Sequence, residues 1–465
     1  MKKLPVLFIT AILLSALSAF SQTPAEWQAH RTEFMRHLGE RSVALLKANP
    51  EYIRNDDVEH EYRQSSDFYY LTGMPEKESM LLLMPAGMNV REFGGRVREI
   101  LFVMPRNALM ETWDGIRLGP EGAKTQLGFE AVLNNDRFEE FAERALANAD
   151  TVYVESERVG LNQPLNETLD LLKRARERFP NLIVANAGKI LHPMREVKSE
   201  AEIALLRKAI DITCAGHREV MRSAKPGMRE YELEAMLEYV FTRSGSERLG
   251  FPSIVGSGPN SCILHYRAGK RVINSGEVIV IDIGAEYGMY TADVTRTIPI
   301  SGKFTKEQAA IYQIVYDAQE AAFQKIKPGA AYSEPHEASA RVVTEGLLKL
   351  GILQGTVEEN LRSRAYREFF LHGSNHYIGL DVHDAGTHGP LKPGVLITVE
   401  PGIYISEAAV AKHGLDKKYA NIGVRIEDDV LVTATGYELL SGSAPRAITE
   451  IEALMASRTR DKSEN

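Results

Sequence analysis

Four acidic residues stand in or beside runs of aliphatic and β-branched residues that read as buried strands. Asp282 and Asp293 lie in VIVIDIGAEYGMYTADVTRT (278–297), Glu400 in VLITVEPGIYI (395–405) and Glu427 in IGVRIEDDVLV (422–432). A carboxylate in a buried strand needs a proton, a paired charge or a cation. A fold that buries these runs must therefore supply a counter-charge to the acids or leave them at solvated strand ends. On a hairpin, a Gly-containing turn brings Asp282 and Asp293 to one place; the plainer reading makes both ordinary turn residues. Glu400 reads equally as a strand-end acid before the Pro401-Gly402 turn, and Glu427 as the ion-pair partner of Arg425. The run LHGSNHYIGLDVHD (371–384) adds His372, His376 and His383, any of which alone would more often be structural. Together, Asp282, Asp293, His376, Glu400 and Glu427 form a set of oxygen ligands and one imidazole. That set suits two divalent ions such as Mn²⁺, Co²⁺ or Zn²⁺ better than a thiolate zinc site. Two such ions can share a hydroxide and hold both attacking and carbonyl oxygens.

The rest of the composition narrows the class. The chain has 465 residues, with 25% charged, 44% hydrophobic and a formal net charge of −8. Nothing in that balance resembles the basic footprint of a nucleic-acid binder, and no nucleic-acid partner is expected. The length exceeds what one hydrophobic core usually supports, so two domains are expected. Lys2 and Lys3, an apolar stretch from Leu4 to Phe20, and Ala19 and Ser21 before a cut ahead of Gln22 follow the grammar of a secretory signal peptide, residues 1–21. The alternative is an uncleaved anchor, for which the stretch is short. No later run is apolar enough to span a bilayer, so no stable membrane span remains after cleavage. Export, to a bacterial periplasm, is the expectation. The two cysteines, Cys214 and Cys262, could pair in an exported protein, but their helix and loop neighbourhoods read rather as free thiols.

Residues 24–190 read as a mixed α/β domain. A helical period covers 26–48, strand-like runs occur at 80–85, 100–104 and 151–154, 89–98 is loop-like, and helices are expected at 138–147 and 166–178. The polar, proline-containing segment 190–198 marks the boundary. An amphipathic helix over 199–222 follows, with Ser199 as N-cap and Glu202 three residues on. A second helix spans 230–244, and further helices near 305–327 and 333–350 interrupt strand-rich sequence, so a helix-then-strands order occurs twice in a domain over 198–455.

At this point the chain resembles the pita-bread metallopeptidases, which include methionine aminopeptidase, prolidase and aminopeptidase P. It is most similar to aminopeptidase P. The acidic pair, the HGxxH run with LDVHD, TVEPGIYI and VRIEDD carry the resemblance, joined by DFYYLTG (67–73) and ETWDGIRLG (111–119) in the first domain. It covers nearly the whole chain after the leader. It implies an α/β protein with a mixed N-terminal domain and a C-terminal pita-bread (α+β) catalytic domain. By resemblance, Asp282 binds one metal, Asp293 and Glu427 bridge two, and His376 and Glu400 complete the shell of the other. Glu400 also serves as general base to the shared water. His265, in SCILHYR, meets the substrate near the leaving group, His383 stabilises the oxyanion, His372 lines the proline pocket, and Arg425 orients a ligating carboxylate. A homo-oligomer, dimer or tetramer, is implied, with Mn²⁺ the expected metal. The pair Ser374-Asn375 departs from the smaller residues of many relatives, which bears on fine specificity.

The substrate feature that follows is a peptide with proline at its second position. An Xaa-Pro bond is a tertiary amide with a rigid ring and no N–H, so it needs a dedicated site. His372, His383 and apolar neighbours would hold the ring. Trp113 and Arg117 would join the substrate region, unless Trp113 is an ordinary packed tryptophan. A prolidase, restricted to dipeptides, is the nearest rival. A binding module or a creatinase-like hydrolase that works without metal is the more distant one.

Overall fold

The computed structural model describes residues 22–155, 160–267 and 269–457, and the chain divides into two compact units at Arg195–Glu196. The leader read at residues 1–21 lies outside the described residues.

In the first unit, β1 (Ser42–Lys47), β2 (Met80–Val90), β3 (Gly95–Val103), β4 (Val132–Asn134), β5 (Thr151–Val154) and β6 (Ile183–Asn186) make one mixed sheet in the order β4-β3-β2-β1-β5-β6. Neighbours among β1, β2 and β3 run antiparallel; β4 lies parallel to β3, and β5 and β6 continue parallel from β1. The helices Phe138–Leu146 and Glu167–Arg178 precede β5 and β6, the long connections that parallel pairing requires. Phe138, Phe141 and Ala145 join Val43, Leu82 and Phe102 in one apolar cluster on the sheet.

Three expectations change here. The helical period read over 26–48 ends at Arg36, and residues 42–47 form β1. That strand is the sheet interior: Val43, Ala44, Leu45 and Leu46 are all buried, so its apolar run is continuous and has no period-two signature. The stretch 89–98 is a hairpin rather than a loop. β2 continues to Val90, Gly94 turns at φ 70°, and Asn89 pairs with Arg96; these exposed strand ends are polar and so resemble a loop. Residues Gly188–Glu196 form a helix with Pro193 inside it. Asn186 Oδ1 accepts the Gly188 N–H at 2.8 Å and Leu191 is buried, which together hold the helix in place.

In the second unit the twofold order is visible. The helices Glu200–Ser223 and Glu230–Arg243 lead into β7 (Ile254–Ser257), β8 (Val278–Ile283) and β9 (Val294–Pro299), paired antiparallel as β7-β8-β9. The helices Lys306–Phe323 and Glu334–Lys349 lead into β10 (Leu396–Val399), β11 (Gly402–Ile405), β12 (Ile422–Arg425), β13 (Asp428–Val432) and β14 (Tyr437–Leu439). These pair as β10-β13-β14 and β11-β12. Ser199 and Glu202 form the expected capping box, each side chain closing on the other's backbone N–H. One cluster unites both halves: Ile212, Leu237 and Ile281 from the first touch the same core as Val315, Ile403 and Val424 from the second. Cys214 and Cys262 are free thiols. Among the described residues no helix is long and apolar enough to cross a membrane.

Candidate metal centre

Sheet register assembles the site. Asp282 on β8 faces Thr295 on β9, and Asp293 immediately precedes β9. The return between them turns at Gly288, φ 58°. It closes tightly because residue 284 is glycine: a Cβ there would lie 1.8 Å from the Ala292 carbonyl oxygen. Glu427 sits in the break between β12 and β13. Its N–H donates to the Thr295 carbonyl at 3.0 Å, and its Oε2 accepts from Thr295 Oγ1 at 2.7 Å. Thr295 thus carries Glu427 to the Asp282 strand.

The other two candidates arrive along β10. Thr398 N–H donates to the His376 carbonyl at 2.9 Å and Glu400 N–H to the Ser374 carbonyl at 2.8 Å, so residues 374–376 lie beside the end of that strand. His376 Nδ1 is 3.0 Å from the Tyr377 carbonyl. A carbonyl only accepts, so Nδ1 carries the proton and Nε2 keeps a lone pair. That nitrogen points into the acids, 3.5 Å from Asp293 Oδ2, 3.6 Å from Glu400 Oε1 and 3.8 Å from Glu427 Oε1. Ligand atoms of Asp293, His376 and Glu427 all lie within 4.8 Å of one another. Asp282 is tied to Arg425 at 2.5 Å, and its charge acts on Asp293, Glu400 and Glu427. Arg425 therefore pairs with Asp282, and the Glu427–Arg425 pair weighed from sequence does not form.

The electrostatics call for positive charge. Burial first, and then the charge of Glu427, hold the carboxyls of Asp293 and Glu400 well above the usual range. Burial and Asp282 push Glu427 up to about 8. Burial and then His383 push His376 down to about 4, so its ring is neutral. Asp282 Oδ1, Asp293 Oδ1 and Glu427 Oε1 are buried without a hydrogen-bond partner. An acceptor in that position is satisfied by a cation or a proton. Oxygens plus one imidazole, with no thiolate, fit hard or borderline divalent ions. The chemistry of Asp282, Asp293, His376, Glu400 and Glu427 therefore fits the divalent ions read from sequence.

Around this core, the His383 ring lies 4.2 Å from that of His376, and exposed His265 is near enough to depress the His383 pKa, after burial. His372 Nδ1 donates to the Gly373 carbonyl at 2.7 Å, so its Nε2 accepts from the Tyr404 hydroxyl, also at 2.7 Å. Arg425 Nη1 donates to that same hydroxyl at 2.9 Å. Tyr404, Thr295 and Asp429, whose Oδ2 accepts the Asp293 N–H at 3.1 Å, were not singled out from the sequence. A buried tyrosine hydroxyl requires a partner, and that was the available signal for Tyr404. Trp113 is 81% exposed, so it is not a packed core residue, and Arg117 reaches Asp114 at 3.4 Å.

Residues 204–434 match the model of metallopeptidase family M24, and residues 27–153 that of the aminopeptidase P N-terminal domain. The chain is 38% identical to the Xaa-Pro aminopeptidase of Escherichia coli (strain K12), over 92% of this chain and 97% of that one. Among solved structures, an aminopeptidase PepP of Pseudomonas aeruginosa superposes with a TM-score of 0.87 at 39% identity, covering 95% of this chain and 100% of that one. A zinc-substituted Escherichia coli aminopeptidase P in complex with product gives a TM-score of 0.85 at 36% identity, covering 94% and 99%.

Proposed function

From the premise that the chain belongs to metallopeptidase family M24 and is an Xaa-Pro aminopeptidase, we propose that two divalent ions, Mn²⁺ foremost, are held by Asp282, Asp293, His376, Glu400 and Glu427. The observation that carries this reading is the set of buried, unpartnered carboxylate oxygens beside the lone pair of His376 Nε2. Such ions would acidify a shared water and polarise the scissile carbonyl. The chain's own residues do the rest. Glu400 takes a proton from the attacking water and returns it to the proline nitrogen, which leaves as an amine. His383 steadies the developing oxyanion, and His265 stands near the leaving group. His372, held by Gly373 and Tyr404, forms a wall of the proline pocket. Arg425 keeps Asp282 oriented.

Substrates are peptides with proline second. Hydrolysis of Xaa-Pro-Yaa by purified protein, lost on chelation and restored by Mn²⁺, is the expected result. Cleavage of the Xaa-Pro dipeptide alone would make the enzyme a prolidase. We further propose export through the leader at 1–21, tested by fractionation and N-terminal sequencing. A homo-oligomer is proposed on the exposed apolar run Leu109, Met110, Trp113 and Ile116, and light scattering tests it.

A further inference from the structure

Residues 196–198 lie against the loop that carries His383. Lys198 Nζ is 2.9 Å from Asp384 Oδ2, with both side chains only 1% exposed. Lys198 N–H donates to the Gly394 carbonyl at 2.9 Å, and Val197 bridges Val395. Buried Glu196 accepts from the Thr387 N–H at 2.7 Å and from Lys392 Nζ at 3.1 Å. The loop has been left room for the ion pair: a Cβ on residue 379, a glycine, would fall 2.1 Å from Asp384 Oδ2 and 2.9 Å from Lys198 Cε.

Burying a lysine and an aspartate together gains little stability over an apolar pair, so such a contact is better understood as fixing a geometry. The geometry at stake is that of His383, the residue just before Asp384. Its ring lies over His376, yet no hydrogen bond holds its imidazole among the described residues. Its aim is therefore set by the backbone on either side. Asp384 anchors that backbone through its N–H on the Tyr377 carbonyl at 2.9 Å and through its carboxylate on Lys198.

We propose that Lys198 and Asp384 are positioning residues, whose buried ion pair fixes the backbone at His383 so that its imidazole meets the reacting carbonyl. The inference rests on the role given to His383 above. It makes the segment just after the first unit a working part of the site, although none of its residues is a ligand.

The test uses the full-length, Mn²⁺-loaded enzyme with an Xaa-Pro-Yaa tripeptide, and follows hydrogen exchange over residues 382–386 in parallel. Asp384→Asn and Lys198→Met are each expected to lower kcat about 10- to 100-fold with KM within roughly threefold, because they act through another group. Metal content should be unchanged, Lys198→Arg should recover part of kcat, and exchange over 382–386 should accelerate in the slow variants. The double variant H383A/K198M should be about as slow as H383A alone, since nothing is left to position. Near-normal kcat in folded Asp384→Asn, or losses that multiply in the double variant, would overturn the proposal. Should Lys198→Met fail to fold, Asp384→Asn and Lys198→Arg carry the same comparison. If the wild-type enzyme does not cleave the tripeptide, the functional reading falls, while the exchange rates still decide whether the ion pair holds the loop.

Discussion

Arg425 donates from Nη2 to Asp282 Oδ2 at 2.5 Å, across 143 positions of sequence, and leaves Glu427, two residues along its own chain, to Thr295. The same guanidinium reaches Tyr404 at 2.9 Å, Thr295 at 3.2 Å and the Leu264 carbonyl at 3.3 Å. One oxygen of Asp282 is thereby committed, and the other is buried without a hydrogen-bond partner.

Arg425→Lys should therefore do more than its conserved charge suggests. A lysine offers one point charge and cannot span Asp282, Tyr404 and Thr295 together. Loss of an orienting partner of this kind lowers metal affinity or activity about 10- to 100-fold. A Mn²⁺ titration of activity should shift to higher concentration in the variant; an unchanged curve would show that Asp282 needs no such anchor.

Asp293→Asn should abolish most activity while leaving the fold intact. Its carboxylate lies 3.5 Å from His376 Nε2, and its ligand atom, with those of His376 and Glu427, falls within a 4.8 Å cluster. The expected loss is several orders of magnitude in kcat/KM, about 4 kcal/mol or more of transition-state stabilisation. Metal analysis should find fewer ions per chain, and circular dichroism should stay unchanged. Near-normal turnover would remove Asp293 from the site.

The metal-free protein should lose stability as pH rises. Burial and the neighbouring acids hold Asp293 and Glu400 well above their ordinary values, and Glu427 is pushed to about 8. Groups with raised folded pKa keep protons that the unfolded chain releases near pH 4, so stability falls with pH from there through the folded values. Buried histidines such as His376, held neutral in the fold, oppose this trend below about pH 6.5, so the Tm with chelator should drop between roughly pH 6.5 and pH 8, and saturating Mn²⁺ should flatten that slope by supplying the counter-charge. A chelated protein with a flat profile would mean that the acids are not mutually buried.

His383→Ala should lower kcat more than it raises KM, because an oxyanion contact matters most in the transition state. Steady-state kinetics on the tripeptide separate the two effects. The reverse pattern would make His383 a residue of substrate binding.

The chemistry of the site was legible residue by residue, while its wiring was not. Each acid announced itself by standing in or beside an apolar run, whereas the separate roles read for His372 and His376 came from the resemblance alone. What Arg425 bonds to depends on the register that sets Thr295 opposite Asp282, and no local pattern encodes that register. Tyr404 read as one more strand residue because its hydroxyl partners, Arg425 and His372, lie far from it in sequence. In the first unit, residues 42–47 passed for helix because a strand buried on both faces loses its alternation, whereas the Ser199–Glu202 capping box is local and was read correctly.

Asp282 and Asp293 come from the first helix-and-strand half of the second unit, and His376, Glu400 and Glu427 from the other. An ion gripped by both sets would be a removable cross-link between two halves that already share one core. Its grip would add about 2.7 kcal/mol at a free concentration of a hundred times its Kd. Metal supply would then govern how long the enzyme survives proteolysis as well as how fast it turns over, and starvation for the ion would shorten its lifetime along with its activity.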